Sequence, residues 1–272
     1  MVLPSLFFLG LWSIYPLGYN LWLSFHKVDI GHPEGPFVGL DQYISLLSDI
    51  EVLKSFYSVT IYTITVTVFQ FILALVLASI ANLTFKGRSL FRISMVLAWA
   101  IPVIAAANIW KFMLWREGVI NYFLMIWGFE PVSWLENSTF ALLSIIIVSL
   151  WKTFPFVFIC ILAGLQSIPE YLYEAAKIDG ASMTQRFLHI TLPNLKTILS
   201  TVIILRVIFI FNWFEMPWLL TKGGPGTATT FPSILIYLRA FLAYSLSEGA
   251  AISMLCMLIL LIFIMLFFKL SR

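Results

Sequence analysis

Residues Glu174–Pro193 read EAAKIDGASMTQRFLHITLP, a polar passage between two strongly apolar segments of this chain. Just upstream, Ser167-Ile168-Pro169-Glu170 has the form of a capping box, with a Ser N-cap, Pro in the first turn and Glu at N3 reaching back. This spacing predicts a helix through Tyr171, Leu172, Ala175 and Ala176 that stops at Gly180, a residue able to take the left-handed conformation beyond a helix end. Ser182 and Gln185 repeat the box and open a second helix that continues past Pro193 into the next apolar segment. The expected unit is a short helix, a sharp turn and a second helix, all outside the membrane. Ala175, Ala176 and Ala181 leave a surface that another protein's groove can approach closely, and Glu174 supplies a charge that sets register.

Working outward, hydrophobic residues make up 61% of the 272 and charged residues 11%. Mean hydropathy is +0.99. A soluble domain carries about 25% charge, so the composition is that of an integral membrane protein. A span of roughly 30 Å of hydrocarbon takes about 20 residues. Six stretches qualify: Val2–Phe25, Phe56–Leu83, Phe91–Leu114, Phe140–Leu165, Ile198–Leu220 and Ala243–Phe268. The expected fold is therefore all-α, a single transmembrane domain over residues 1–272, with the polar loop 166–196 between the fourth and fifth spans. The opening MVLPSLFFLG lacks a basic n-region and a small-residue cleavage site, so it reads as part of a spanning helix.

The joins between spans set the orientation. Thr84–Arg92 is short and basic, with Lys86, Arg88 and Arg92 and no acid, and Lys269 and Arg272 end the chain. By the positive-inside rule both face the cytoplasm. With six spans, both termini and the 166–196 loop then lie inside, and His26–Lys54 and Trp115–Thr139 lie outside. Trp115, Trp127 and Trp134 read as interfacial anchors.

Several chemistries are excluded. Lys plus Arg exceeds Asp plus Glu by only 16 to 13, which gives no footprint for nucleic acid. Cys160 and Cys256 sit inside apolar runs, and neither a metal-binding spacing nor a catalytic motif is present. The chain has no G-x-x-x-x-G-K-[ST] and so no nucleotide-binding loop of its own. No catalytic residue and no metal ligand is assigned.

The Glu174–Pro193 passage resembles the signature loop of ABC-importer permeases, in which Glu-Ala-Ala, three residues, Gly, nine residues, Ile, any residue and Leu-Pro follow in order. Here these are Glu174, Ala175, Ala176, Gly180, Ile190, Leu192 and Pro193. Phe37-Val38-Gly39-Leu40-Asp41-Gln42-Tyr43, Arg88-Ser89-Leu90-Phe91-Arg92, Trp151-Lys152-Thr153-Phe154-Pro155-Phe156 and Leu220-Thr221-Lys222-Gly223-Gly224-Pro225-Gly226 add to the likeness. It is to the sugar and glycerol-phosphate importers of the maltose type, and covers nearly the whole chain. The resemblance implies an inner-membrane subunit that hydrolyses nothing itself. It implies a second homologous permease, two ATPase subunits that bind ATP and Mg, and an extracytoplasmic binding protein that delivers a carbohydrate. It makes Glu174, Ala175, Ala176, Asp179, Gly180 and Pro193 the ATPase-coupling residues.

A polar solute needs a wet cavity, and charges inside spans point to one because each costs roughly 2.5–3.5 kcal/mol at the bilayer centre. Lys152, Arg206 and Glu215 are such charges. Arg206, Ile210 and Trp213 fall at i, i+4 and i+7, one helical face, and an Arg beside a Trp suits a sugar's hydroxyls and apolar ring face. The family resemblance adds Trp151, Thr153 and Phe156 to this pathway. Asn212 and Glu215 share another face. Glu215 reads as an ion-pair partner of Lys152 or as a residue near the outer surface where the helix emerges, and Lys152 as a cavity residue or as a snorkelled or ion-paired side chain. The rival readings are a secondary transporter, which would show inverted repeats, and a polytopic membrane enzyme built on Lys152, Arg206 and Glu215.

Overall fold

In a computed structural model, which describes residues 7–29, 31 and 34–271, the chain is built almost wholly of helices. In order these are α1 (Tyr15–Ser24, preceded by a π-turn at Gly10–Ile14), α2 (Asp41–Ser48), α3 (Ile50–Asn82), α4 (Arg88–Ala100) and α5 (Val103–Leu114). There follow α6 (Val119–Ile126), α7 (Ser138–Ser167), α8 (Glu170–Ile178), α9 (Met183–Arg186), α10 (Leu192–Phe211), α11 (Glu215–Thr221), α12 (Pro232–Tyr237) and α13 (Leu246–Ser271). Among the described residues there is no β-strand, and one antiparallel bridge pairs His26 with Phe37.

Among the described residues, four helical segments are long and apolar enough to cross a membrane: Ile50–Asn82, Ser138–Ser167, Met183–Thr221 and Leu246–Leu270. A fifth, expected over Phe91–Leu114 as one span, is a pair of helices, Arg88–Ala100 and Val103–Ile126, bent by 97°. The expected first span is helical through Ser24, and its residues 2–6 lie outside the described residues, as does the terminal Arg272.

The bend has a local cause. Ile101 precedes Pro102, whose ring drives the preceding residue out of the helical region, and Ile101 is extended at φ −72°, ψ 128°. The last carbonyls of α4 then lack helical partners, which is costly where no water reaches them. Lys152, buried on α7, covers them. Its Nζ donates to the carbonyls of Ala98 at 3.0 Å and Trp99 at 3.2 Å, and to that of Ile101. A cation at a helix C-terminus is also favoured by the helix dipole. Lys152 is thus a helix cap and not the partner of Glu215. Glu215 is exposed and accepts from Trp213 Nε1 at 3.2 Å.

The chain divides into two compact units. The first comprises residues 1–60 and 221–272. In it α13 packs on α1, Val28 and Ser247 exchange backbone and hydroxyl hydrogen bonds, and Leu23, Val28 and Ala250 form a small apolar cluster. Arg239 ties this unit together, its guanidinium meeting Asp49 at 2.8 Å, Glu51 at 3.0 Å and Glu248 at 3.2 Å. Partial burial pulls its pKa down, and the three carboxylates outweigh that and hold it above the ordinary value. The sequence LTKGGPG forms a turn held by side chains: Thr229 Oγ1 donates to the Gly224 carbonyl at 2.7 Å, and Thr230 Oγ1 to that of Gly223 at 3.0 Å.

The second unit, residues 61–220, holds α4 to α10 and most of α3. Ala74, Ala78 and Ala81 give α3 a stripe of small residues that Phe158, Ile161 and Leu165 of α7 pack against, with Leu195 and Val202 of α10. Close approach through small side chains is how helices associate in membranes. Gly164 marks the tightest point, where an added Cβ would lie 2.7 Å from side-chain carbons of Leu195 and Ile198.

Candidate functional site

α7 and α10 carry polar side chains in their buried middle and the exposed helix-turn-helix at their joined ends. At the middle lies a chain of polar groups inside otherwise apolar helices. Arg206 of α10 is 6% exposed, and its Nε donates to Gln70 Oε1 of α3 at 3.4 Å. Gln70 Nε2 donates to Thr153 Oγ1 of α7 at 3.1 Å, and Thr153 Oγ1 donates to the Ser149 carbonyl at 2.7 Å. One turn further, Tyr62 Oη donates to Ser149 Oγ at 2.8 Å. The guanidinium carbon of Arg206 stands 4.8 Å from the Phe209 ring centroid and 5.6 Å from that of Phe156, within cation–π range.

This cluster is not self-sufficient. Among the described residues, Arg206 Nη2 is buried with no acceptor, and Thr63 Oγ1 and Thr67 Oγ1 on α3 are likewise buried without partners. Buried polar atoms are nearly always hydrogen-bonded, so these donors are open to a further acceptor. The arrangement offers a cation, an amide, hydroxyls and two aromatic faces, which is the chemistry that holds a hydroxyl-rich or anionic solute.

Of the residues singled out by the sequence, the structure brings Thr153, Phe156 and Arg206 together. Ile210 and Trp213 are buried on from Arg206, but α10 ends at Phe211, so Trp213 is placed by the turn beyond the helix. Trp213 packs 5.6 Å from Phe209. Trp151 turns away, edge-on to Trp110 at 5.5 Å. Asn212 is exposed and donates to the Ile208 carbonyl at 2.9 Å. Sequence reasoning missed Gln70, Tyr62, Ser149 and Phe209. A signal was there: Thr63, Thr67 and Gln70 fall at i, i+4 and i+7 in an apolar run, one polar stripe on a helix.

At the other end, α8 closes as expected. Gly180 has φ +76°, the Ala181 N–H bonds the Ala176 carbonyl at 2.9 Å, and the Gly180 N–H bonds that of Lys177 at 3.1 Å. This is the Schellman pattern. Ser182 and Gln185 form the reciprocal capping box, at 3.3 and 2.7 Å. The box expected at Ser167 does not form. α7 runs through Ser167, whose hydroxyl donates to its own helix at Gly164, and Pro169 is the residue that precedes α8. Just ahead of Pro193, whose ring offers no N–H, the ladder slips to a π-turn over Phe187–Thr191.

The helix-turn-helix is anchored on one side only. Tyr173 Oη meets Thr191 Oγ1 at 2.9 Å, and Leu172, Tyr173 and Ile190 pack on the α7–α10 core. Glu174, Ala175, Asp179, Gly180 and Pro193 are exposed, and Ala176 is half-buried. Ile178 and Met183 stand 87% and 78% exposed. Beside them a cleft of about 430 Å³ is lined by Ala176, Asp179, Gly180, Gln185, Arg186 and His189.

Residues 52–270 match the family described as binding-protein-dependent transport system inner membrane component. The chain is 40% identical to the trehalose/maltose transport system permease protein MalF of Thermococcus litoralis, covering 100% of this chain and 92% of that one. It is 33% identical to the sn-glycerol-3-phosphate transport system permease protein UgpA of Yersinia pestis, covering 95% and 88%. The fold matches a chain of a bacterial ABC transporter involved in the import of the acidic polysaccharide alginate. There the TM-score is 0.88 at 24% identity, over 100% of this chain and 93% of that one. With the family model spanning most of the sequence and full-length relatives at this identity, the chain belongs to the family of inner-membrane permease components of binding-protein-dependent ABC transport systems.

Proposed function

We propose that the chain forms half of the translocation pathway of an ATP-driven importer of a carbohydrate: a mono- or oligosaccharide, a sugar-like polyol or glycerol phosphate. The observation that carries this is mechanical. α7 and α10 hold the Arg206 cluster with its orphan donors, and the same two helices anchor a helix-turn-helix whose other face is exposed. Motion imposed on α8 therefore reaches the polar cluster through packed side chains. The names of the relatives supply the solute class, since trehalose or maltose and glycerol phosphate both present hydroxyl or anionic oxygens.

In this reading the chain is a multi-pass protein of the cell membrane with six spans and both termini cytoplasmic. A sister permease completes the pore, two ATPase subunits dock on the α8 surface, and a binding protein delivers solute from outside. ATP and Mg reside in the ATPase. Arg206, Thr153 and Phe156 contact the solute, with Ile210 and Trp213 walling the pathway. Glu174 meets a basic residue of the ATPase groove, and Ala175, Ala176 and Asp179 fill the contact. Gly180 and Pro193 fix the turn and the entry of α10. Closure of the ATPase pair draws the two helices together and turns the cavity outward.

The test separates coupling from binding. Glu174→Lys reverses a charge contact worth roughly 1.5–3 kcal/mol. Gly180→Val meets open space but must adopt φ +76°, at about 1–2 kcal/mol. Both variants insert and fold, yet release the ATPase or lose solute-stimulated hydrolysis in the copurified complex. Wild-type copurification and stimulation in both would refute the coupling role.

A further inference from the structure

A second cleft, of about 270 Å³, lies at the end of α5, away from the Arg206 cluster. Lys111 and Phe112 line it from the last turn of α5, Trp115 and Arg116 from the turn that follows, and Trp134 and Glu136 from the far wall. Its walls are built, not incidental. The fully buried Asn121 shares its Nδ2 among the carbonyls of Trp115, Arg116 and Val132 at 3.1, 3.1 and 2.9 Å. Its Oδ1 accepts from the Val132 N–H and from Trp134 Nε1, both at 3.0 Å. One side chain thus pins both sides of the cleft and aims the Trp134 indole.

Lys111 and Arg116 form no ion pair among the described residues, and Glu136 is the single carboxylate facing two cations. Beyond the cleft, α6 exposes Tyr122, Phe123, Met125 and Ile126, followed by Trp127. This is an apolar face beside unpaired positive charge, bordered by tryptophans, which favour the headgroup level of a bilayer. We propose that the cleft binds the phosphate of an anionic phospholipid headgroup, with its acyl chains along Phe112 and α6. Lys111 supplies a compact charge and Arg116 a planar fork, both matched to phosphate oxygens. The cleft is slightly smaller than ligand pockets of roughly 300–1,000 Å³, which fits a headgroup and leaves the chains outside. Free phosphate could use the same two cations, but it gains nothing from the apolar surround.

The test uses the full chain, purified in detergent, stripped of lipid and titrated under native mass spectrometry. Phosphatidylglycerol is expected to bind at least about tenfold more tightly than phosphatidylethanolamine, whose phosphate is offset by its own ammonium and whose ammonium is repelled by Lys111 and Arg116. Lys111→Gln with Arg116→Gln abolishes that preference, Lys111→Arg keeps it, and excess inorganic phosphate does not displace the lipid. Should the double variant fail to fold, Lys111→Gln alone is read the same way. Equal binding of the two lipids, or a preference that survives loss of the cations, overturns the site. Displacement by inorganic phosphate would reassign the cleft to a soluble anion and overturn the lipid reading.

Discussion

Replacing Lys152 by Met keeps most of the unbranched side chain and removes its ammonium, which tests whether this residue caps α4 or serves the solute. The ammonium reaches three backbone carbonyls at the α4–α5 bend. Polar contacts inside membrane proteins are worth about 0.6 kcal/mol on average and at most about 1.7 each, so three come to about 2–5 kcal/mol. The charge itself costs roughly 2.5–3.5 kcal/mol at bilayer depth, but an inserted, unfolded chain pays most of that too. The variant should therefore insert at least as well as the parent and be about 2 kcal/mol less stable once inserted, a change of roughly 30-fold in the folded ratio. Two measurements check it: equilibrium unfolding in mixed micelles, and the spin-label distance between cysteines at Leu90 and Tyr122, both exposed on either side of the bend. A broadened distance and a lowered midpoint are expected, with Glu215→Gln leaving both unchanged. An unshifted midpoint with the parent distance would refute the capping role. A loss reproduced by Glu215→Gln would restore a Lys152–Glu215 pair.

Gln70→Leu removes the acceptor of Arg206 Nε and the donor to Thr153, and should lower solute uptake by about tenfold while the complex still assembles; unchanged uptake would take Gln70 out of the site. Arg239→Gln leaves Asp49, Glu51 and Glu248 facing one another. Because these side chains are 27–35% exposed, each contact is worth about 0.2–1 kcal/mol, and the summed loss of stability should shrink in high salt. A loss insensitive to salt would point to packing instead. For orientation, cysteines at Ser89 and Ser45, both exposed, should label from the cytoplasmic and the outer side respectively. Labelling of both from outside would overturn the topology.

Much was legible in the residue order because it rests on local rules. Apolar run length gives membrane helices, Gly180 ends α8 with positive φ, and Ser182 with Gln185 caps the next helix, each within a few residues of its cause. Ser167 shows where local rules compete. Its SxxE pattern suited a cap, but α7 was already long enough to absorb it, and its hydroxyl turned back to Gly164. The expected span Phe91–Leu114 contains Pro102, but neither the 97° bend nor the residue that covers the freed carbonyls could be read from that.

Those outcomes depend on partners far away in sequence. Lys152 reaches carbonyls more than fifty positions back, and Arg206 finds Gln70 at a separation of 136. Where lipid or packed protein keeps water out, a buried polar group depends on whichever partner helix packing brings near. The sequence by itself determined the all-helical membrane class, the family likeness and the helix-turn-helix, because periodicity, caps and turn residues act over one or two turns. Only the tertiary structure decided that Lys152 is a cap, that Gln70 joins Arg206 to Thr153, and that Arg206 keeps a donor without a partner among the described residues. Small residues at Ala74, Ala78, Ala81 and Gly164 set how closely α3, α7 and α10 approach, and that approach chooses which polar groups meet.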